Sequence, residues 1–174
     1  MFKKFFSYEN ELCFKIPLKD YIKLLNDKTL FSFRCVNIKQ AWLDSEKFDK
    51  NVTKKSRIRV WKDVNPQNIK HGIDLNKSVI EYTTKFYFDK FRIELNSDLT
   101  PDEFTLLTTT VYSNVKFEEK NRFFLMDSNS NIYTADIFVD KPDDIRLEIE
   151  FEDASKRNEY IVPEWLINIA KKED

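Results

Sequence analysis

Apolar and polar residues alternate along most of this chain. In "IRLEIEFE" (145–152), every second residue is apolar and those between are mostly acidic. Strict alternation over this length predicts a β-strand with one buried face. Further stretches show the pattern and are rich in aromatic and β-branched residues, which favour strands. The eight predicted strands lie near residues 9–16, 32–43, 56–61, 79–86, 89–97, 115–125, 131–139 and 145–152.

Helical patterns are fewer. Apolar spacing and proline near a first turn predict helices at 17–27 and 163–172. "TPDEFTLLTTTVYS" (100–113) begins with Thr100 as a capping residue and has Glu103 three positions later. The turn cluster "DSNSN" (127–131) predicts a hairpin, and 44–55 and 62–78 are interpreted as polar connections. The sequence therefore predicts one domain over 1–174, in the α+β class but mainly β.

Composition excludes several function classes. Lys plus Arg (29) nearly balance Asp plus Glu (30), so a protein that coats nucleic acid or an anionic membrane is not expected. Single glycine and histidine residues, Gly72 and His71, exclude glycine-rich phosphate loops and sites with several histidine ligands. Cys13 and Cys35 lack metal-ligand spacing and are expected to be reduced. Without a signal-like or membrane-spanning apolar run, a cytoplasmic protein is expected, with a viral protein in host cytoplasm also open.

The polar strand faces carry sorted charges. Arg57 and Arg59 share a face opposite Ile58 and Val60, and three other strands show pairs or triplets of the same kind: Lys120 and Arg122; Arg92, Glu94 and Asn96; Glu148 and Glu150. A closed barrel could place either the apolar or the charged faces inside. Converging Arg and Lys would bind phosphate oxygens, and paired carboxylates would bind Mg²⁺ or Mn²⁺, so the sorting favours a charged interior.

Nine short segments, in order, resemble motifs of one family. They are "ELCFK" (11–15, ExExK), "KQAWLDS" (39–45), "RIRV" (57–60, RxR), "YTTKF" (82–86), "FRIELNSDLTPDEFTLL" (91–107, RxExE and its helix), "EKNRFFL" (119–125, KxR), "IYTADIF" (132–138), "RLEIEFED" (146–153, ExE) and "VPEWL" (162–166). The chain resembles the CYTH domains, also called triphosphate tunnel metalloenzymes. The resemblance implies an eight-stranded antiparallel β-barrel whose charged lumen binds a triphosphate and metal ions.

The resemblance also implies a function and a set of site residues. The expected activity is Mg²⁺- or Mn²⁺-dependent hydrolysis of a linear triphosphate, either tripolyphosphate or a nucleoside or organic triphosphate. The expected partner is this small molecule, with no membrane and no nucleic acid apart from an RNA 5′-triphosphate end. Implied phosphate ligands are Arg57, Arg59, Lys85, Arg92, Lys120 and Arg122. Implied metal ligands are Glu11, Glu94, Asp136, Glu148 and Glu150, and Glu148, Glu150 and Lys15 are the expected catalytic residues.

Two positions depart from the family pattern. Cys13 and Asn96 stand where ExExK and RxExE have their second glutamates, and each removes a potential metal ligand. An alternative interpretation is therefore a phosphate- or nucleotide-binding protein that keeps the barrel without hydrolysis. In that case the carboxylates would pair with the basic residues of the site. A barrel that holds an apolar ligand, with its charges in water, is a third interpretation.

Overall fold

A computed structural model describes residues 4–8, 10–64, 78–89 and 92–173. Antiparallel strands dominate these residues, with a few short helices between them. The strands are β1 (Lys4–Tyr8), β2 (Glu11–Pro17), β3 (Leu30–Asp49), β4 (Val52–Asp63), β5 (Val79–Tyr87), β6 (Arg92–Asp98), β7 (Glu118–Asp127), β8 (Ile132–Phe138), β9 (Lys141–Glu150) and β10 (Lys171–Glu173). The helices are α1 (Leu18–Asn26), α2 (Pro101–Thr109), α3 (Ala154–Glu159) and α4 (Glu164–Ile167).

Each of the eight predicted strands corresponds to an observed one, β2 to β9. The predicted connection at 44–55 is wrong, because β3 continues to Asp49 and β4 begins at Val52. The predicted C-terminal helix is limited to α4 and is followed by β10, and β1 and α3 were not predicted. Residue 9, residues 90–91 and most of the connection predicted at 62–78 lie outside the described residues.

The chain divides into two compact units. The first comprises Met1–Glu9, Ile38–Lys62 and Lys70–Glu119, with the strand order β1-β6-β5-β4-β3. Its core is formed by Ile58, Val60 and Ile80, and residues of α2 and its flanks pack against them. A capping box begins α2, as predicted: Glu103 N–H donates to Thr100 Oγ1 (3.2 Å), and Thr100 N–H donates to Glu103 Oε2 (2.8 Å).

The second unit comprises Asn10–Asn37, Asp63–Ile69 and Lys120–Asp174, with the strand order β3-β7-β8-β9-β2-β10. The apolar residues of the alternating strands β2 and β9 are buried together with those of α1 and α4. Tyr21 of α1 packs against Phe123 of β7, and Trp165 of α4 packs edge-on against Tyr133 of β8. Because one strand face is covered in this way, the charged residues of these strands lie on the opposite face.

The predicted hairpin joins β7 to β8. Its turn is fixed by the Asp127 carboxylate, which accepts hydrogen bonds from the backbone N–H groups of Asn129 and Asn131 (2.9 Å each) and from the Tyr133 hydroxyl (3.1 Å). Ser130 adopts a positive φ of 63°, a conformation that tight turns often require. The hairpin places Arg122 directly opposite Asp136.

The predicted fold class, mainly β with antiparallel pairing and few helices, is confirmed. Among the described residues β1 and β10 are the terminal strands of the order. The closed barrel with a charged lumen stays a prediction. None of the described helices is long and apolar enough to cross a bilayer.

Candidate functional site

All of the predicted site residues lie in two groups of charged side chains, one in each unit. The first, called here the Arg57 cluster, consists of residues on β3 to β6: Gln40, Arg57, Arg59, Lys85, Arg92, Glu94 and Asn96. The second, called the Asp136 cluster, consists of residues on β2, β7, β8 and β9: Glu11, Cys13, Lys15, Lys120, Arg122, Asp136, Arg146, Glu148 and Glu150.

Arg57 and Arg59 project from the β4 face opposite the buried Ile58 and Val60. Arg57 is 8% exposed, and its guanidinium carbon lies 5.3 Å from the centre of the Trp42 ring. Its buried Nε–H has no acceptor among the described residues. A buried donor without an acceptor is costly, so an anion that reached this guanidinium group would gain a strong interaction.

Most of the other polar groups of this cluster have partners within it. Arg59 donates to Gln40 Oε1 (3.4 Å). The Lys85 ammonium group lies 3.0 Å from a carboxylate oxygen of Glu94, and Asn96 Nδ2 donates to the other oxygen (2.8 Å). Asn96 thus supports the Lys85–Glu94 pair where the family has a second carboxylate. Glu94, a predicted metal ligand, is engaged by two donors.

Asp136 is the most buried carboxylate described, at 1% exposure. It accepts hydrogen bonds from Arg122 Nε (2.7 Å) and Nη2 (2.8 Å) and from the Lys120 ammonium group. Burial alone would raise the pKa of Asp136, but Arg122 and Lys120 outweigh it and hold the pKa well below its usual value. Burial likewise opposes the charge of Arg122, yet Asp136, Glu148 and Glu150 raise its pKa.

Glu148 is held by two arginines. Arg146 Nε lies 2.8 Å from Glu148 Oε1, and Arg122 Nη2 lies 3.4 Å from Oε2. Arg146 Nη2 also donates to Cys13 Sγ (3.3 Å), and this thiol lies 3.6 Å from Glu11 Oε1. Burial raises the pKa of Cys13 to about 11, against the opposing effect of Arg146, so the thiol is neutral near pH 7.

Arg146 was not among the residues predicted for the site. Its signal in the sequence is that it shares a strand face with Glu148 and Glu150, but in the segment "RLEIEFED" it lies before the ExE positions. Lys15 pairs with Asp144 (2.8 Å), and both side chains are about half exposed. Glu150 is exposed and lies directly opposite Glu11, an arrangement of like charges that an added cation would stabilise.

One group of possible metal ligands occurs in the described part of the chain. An oxygen of Glu11, the sulfur of Cys13 and an oxygen of Glu148 lie within 4.8 Å of one another. The carboxylates fit the hard-oxygen preference of Mg²⁺ or Mn²⁺, whereas a neutral thiol does not. A divalent cation therefore fits Glu11 and Glu148, with Glu150 close by, and Cys13 offers it no good ligand.

No family model and no curated protein matches this chain, but solved structures do. The PH1819 protein from Pyrococcus horikoshii OT3 is 16% identical, with 86% of this chain and 83% of that one covered and a TM-score of 0.57. A chain of the Schizosaccharomyces pombe Mediator head module is 12% identical, with 85% and 84% covered and a TM-score of 0.51. The fold is thus of the triphosphate-tunnel (CYTH) type, which confirms the fold implied by the sequence resemblance.

The inorganic triphosphatase NE1496 is also similar, with 16% identity, 94% of this chain and 85% of that one covered, and a TM-score of 0.44. Because the fold also occurs in a chain of the Mediator head module, fold alone does not specify an activity, and function must be argued from the site.

Proposed function

We propose that this protein binds a linear triphosphate, inorganic or carried by a nucleotide, and hydrolyses its terminal phosphoanhydride bond with the aid of Mg²⁺ or Mn²⁺. The observation that supports binding is Arg57, a buried guanidinium group whose Nε–H has no acceptor in the described part of the chain. Guanidinium groups bind phosphate oxygens through paired, charge-assisted hydrogen bonds. Arg59 on the same strand, Lys85 on β5 and Arg92 on β6 add positive charge.

Catalysis would depend on positioning and charge stabilisation rather than on a protein nucleophile. Lys120 and Arg122 would bind phosphate oxygens, and Lys15 would join them by leaving Asp144. Glu148, Glu150 and Glu11 would hold the cation. A bound divalent cation supplies neutralisation of phosphate charge and an oriented water molecule.

Two predicted metal ligands receive a different role in this proposal. Glu94 contacts Lys85, and Asp136 contacts both Lys120 and Arg122. Each of these carboxylates therefore fixes the position and the charged state of basic side chains that would bind phosphate. We assign them to positioning rather than to metal coordination.

Binding without hydrolysis is a second candidate function, and the contacts of Glu148 favour it. Both oxygens of this carboxylate already face guanidinium groups. Cys13 and Asn96 have also replaced two acidic positions of the family. A protein with this arrangement would keep the basic residues and lose the cation that hydrolysis needs.

Phosphate release from tripolyphosphate, ATP and GTP, with and without Mg²⁺ or Mn²⁺, tests the proposal. Thermal melting with metal-free tripolyphosphate measures binding separately, because a ligand that binds the folded state raises its stability. Arg57→Ala should weaken binding by about 1.5–3 kcal/mol, the range for hydrogen bonds to charged groups. Arg157→Ala, which removes an exposed arginine of α3, is the control.

Three outcomes separate the candidates. Cation-dependent phosphate release supports the hydrolase. Stabilisation by tripolyphosphate without release under any cation supports the binding protein. If tripolyphosphate neither stabilises the protein nor is hydrolysed, both candidates fail, and an apolar ligand becomes the better interpretation.

A further inference from the structure

Arg146 is a charged residue of the Asp136 cluster that the proposed function leaves without a role. It lies on β9, directly opposite Lys15 of β2 and Asp136 of β8. Its side chain is 44% exposed, yet it reaches inward to two neighbours. Nε lies 2.8 Å from Glu148 Oε1, and Nη2 lies 3.3 Å from Cys13 Sγ.

These two neighbours are also members of the group of possible metal ligands. Glu11, Cys13 and Glu148 each contribute one atom to a triangle less than 4.8 Å across, and Arg146 contacts two of its three residues. A carboxylate oxygen that accepts a short hydrogen bond from a guanidinium group has less electron density to offer a metal ion. A cation placed in the triangle would also be repelled by the positive charge of Arg146.

The two arginines that contact Glu148 differ in how easily their side chains can move away from it. Arg122 is largely buried and is fixed by two hydrogen bonds to Asp136, so it cannot withdraw without breaking a buried ion pair. Arg146 is half exposed, so its guanidinium group can turn into solvent without breaking an ion pair to a second buried carboxylate. A metal ion that binds Glu148 would therefore displace Arg146 rather than Arg122.

The charges of the cluster balance without an added ion. Its four carboxylates, Glu11, Asp136, Glu148 and Glu150, equal its four cations, Lys15, Lys120, Arg122 and Arg146, in number, and the Cys13 thiol is neutral. A glutamate at position 13, as in the family pattern, would leave one negative charge unbalanced. The neutral thiol of Cys13 and the positive charge of Arg146 beside it are therefore both consistent with a cluster whose charges balance without a bound cation.

We propose that Arg146 is a built-in counter-ion that competes with divalent cations for Glu148, so that a cation binds there only when the Arg146 side chain moves away. The proposal rests on the proposed function in one respect, the assignment of Glu148 as a cation ligand. Arg146 thereby becomes the residue that sets the metal affinity of the site, and it weakens that affinity. It need not touch the triphosphate.

The test is Mn²⁺ binding without any triphosphate, measured by calorimetry and by the electron paramagnetic resonance signal of free Mn²⁺. Arg146→Gln keeps a hydrogen-bonding side chain and removes the charge, and it should bind Mn²⁺ at least ~10-fold more tightly than the unaltered protein, equivalent to about 1.4 kcal/mol. Arg146→Lys keeps the charge and should show a much smaller gain. Arg157→Gln removes the same charge from the exposed helix α3 and should leave the affinity unchanged.

Circular dichroism of each variant establishes that it is folded before its affinity is compared. The proposal is overturned if Arg146→Gln binds Mn²⁺ no more tightly than the parent protein, including the case in which neither binds at millimolar concentrations. It is also overturned if Arg157→Gln gains as much, because the effect would then be one of general charge. Metal-free tripolyphosphate binding is measured on the same samples, and its absence in the parent protein would count against the proposed function rather than against the role of Arg146.

Discussion

Replacing the buried Asp136 by asparagine should destabilise the protein strongly. The carboxylate accepts from Arg122 at one oxygen and from both Arg122 and Lys120 at the other. Asparagine has almost the same shape, but its amide NH₂ group must face one of these sets of donors. The substitution also raises the formal charge of this trio from +1 to +2 in a place with little access to water.

The expected loss follows from the burial of both partners. Removing one member of a buried ion pair costs about 3–5 kcal/mol, because the other member remains charged and unpaired. Against a typical total stability of about 5–15 kcal/mol, this is a large share. Asp144→Asn is the matched control: its pair with Lys15 lies at the surface and should contribute about 0–1 kcal/mol.

Urea denaturation at pH 7, followed by far-UV circular dichroism, measures both variants. Sulfate or tripolyphosphate should restore more stability to Asp136→Asn than to the parent, since an anion can take the place of the lost charge. A decrease in the free energy of unfolding below about 1 kcal/mol for Asp136→Asn, or an equal decrease in the Asp144 control, would refute the reasoning. Burial would then not be what makes the contacts of Asp136 with Lys120 and Arg122 stabilising.

Two further predictions concern titration. Because the pKa of Asp136 is depressed in the folded state, its stabilising contribution is complete above the unfolded value of about 3.9 and is lost as the pH falls below it. Denaturation curves at decreasing pH should therefore bring the parent and Asp136→Asn together, and a constant gap down to about pH 2 would contradict this. The Cys13 thiol, with its pKa raised to about 11, should react with iodoacetamide at pH 8 on the order of 100-fold more slowly than an exposed thiol. Mass spectrometry of a Cys35→Ser variant measures this rate, and reaction at the speed of glutathione would be inconsistent with a half-buried, neutral thiol.

Much of the fold could be predicted from the sequence because alternation is a local signal. Every strand with a clear period of two was found, and the Thr100 capping box begins its helix as expected. The hairpin around residues 44–55 was missed because its lysine- and aspartate-rich composition is typical of a loop. Pairing between β3 and β4 outweighs that local preference. β1 is held by β6, nearly ninety residues later in the chain, and no local pattern reveals such a partner.

The candidate site was predictable in its residues but not in their contacts. Alternation placed Arg122 and Glu148 on polar faces. The family motifs added Asp136 and suggested that the basic residues bind phosphate and the acidic ones bind metal. The structure instead pairs these residues with one another. The choice between an external ligand and an internal partner depends on distances across strands, which the spacing along one strand does not contain.

The β7–β8 hairpin has a consequence for the order of folding. Lys120, Arg122 and Asp136 all belong to this one hairpin, whose short turn is fixed by Asp127. Contacts between segments close in sequence form before distant ones, since less chain must be ordered to make them. The three charges can therefore meet while water still surrounds them and lose their hydration only afterwards, as a partly neutralised group. Pulse-labelling hydrogen exchange would show this as early protection of β7 and β8 amides, ahead of those of the β2–β9 pair, whereas simultaneous protection would exclude it.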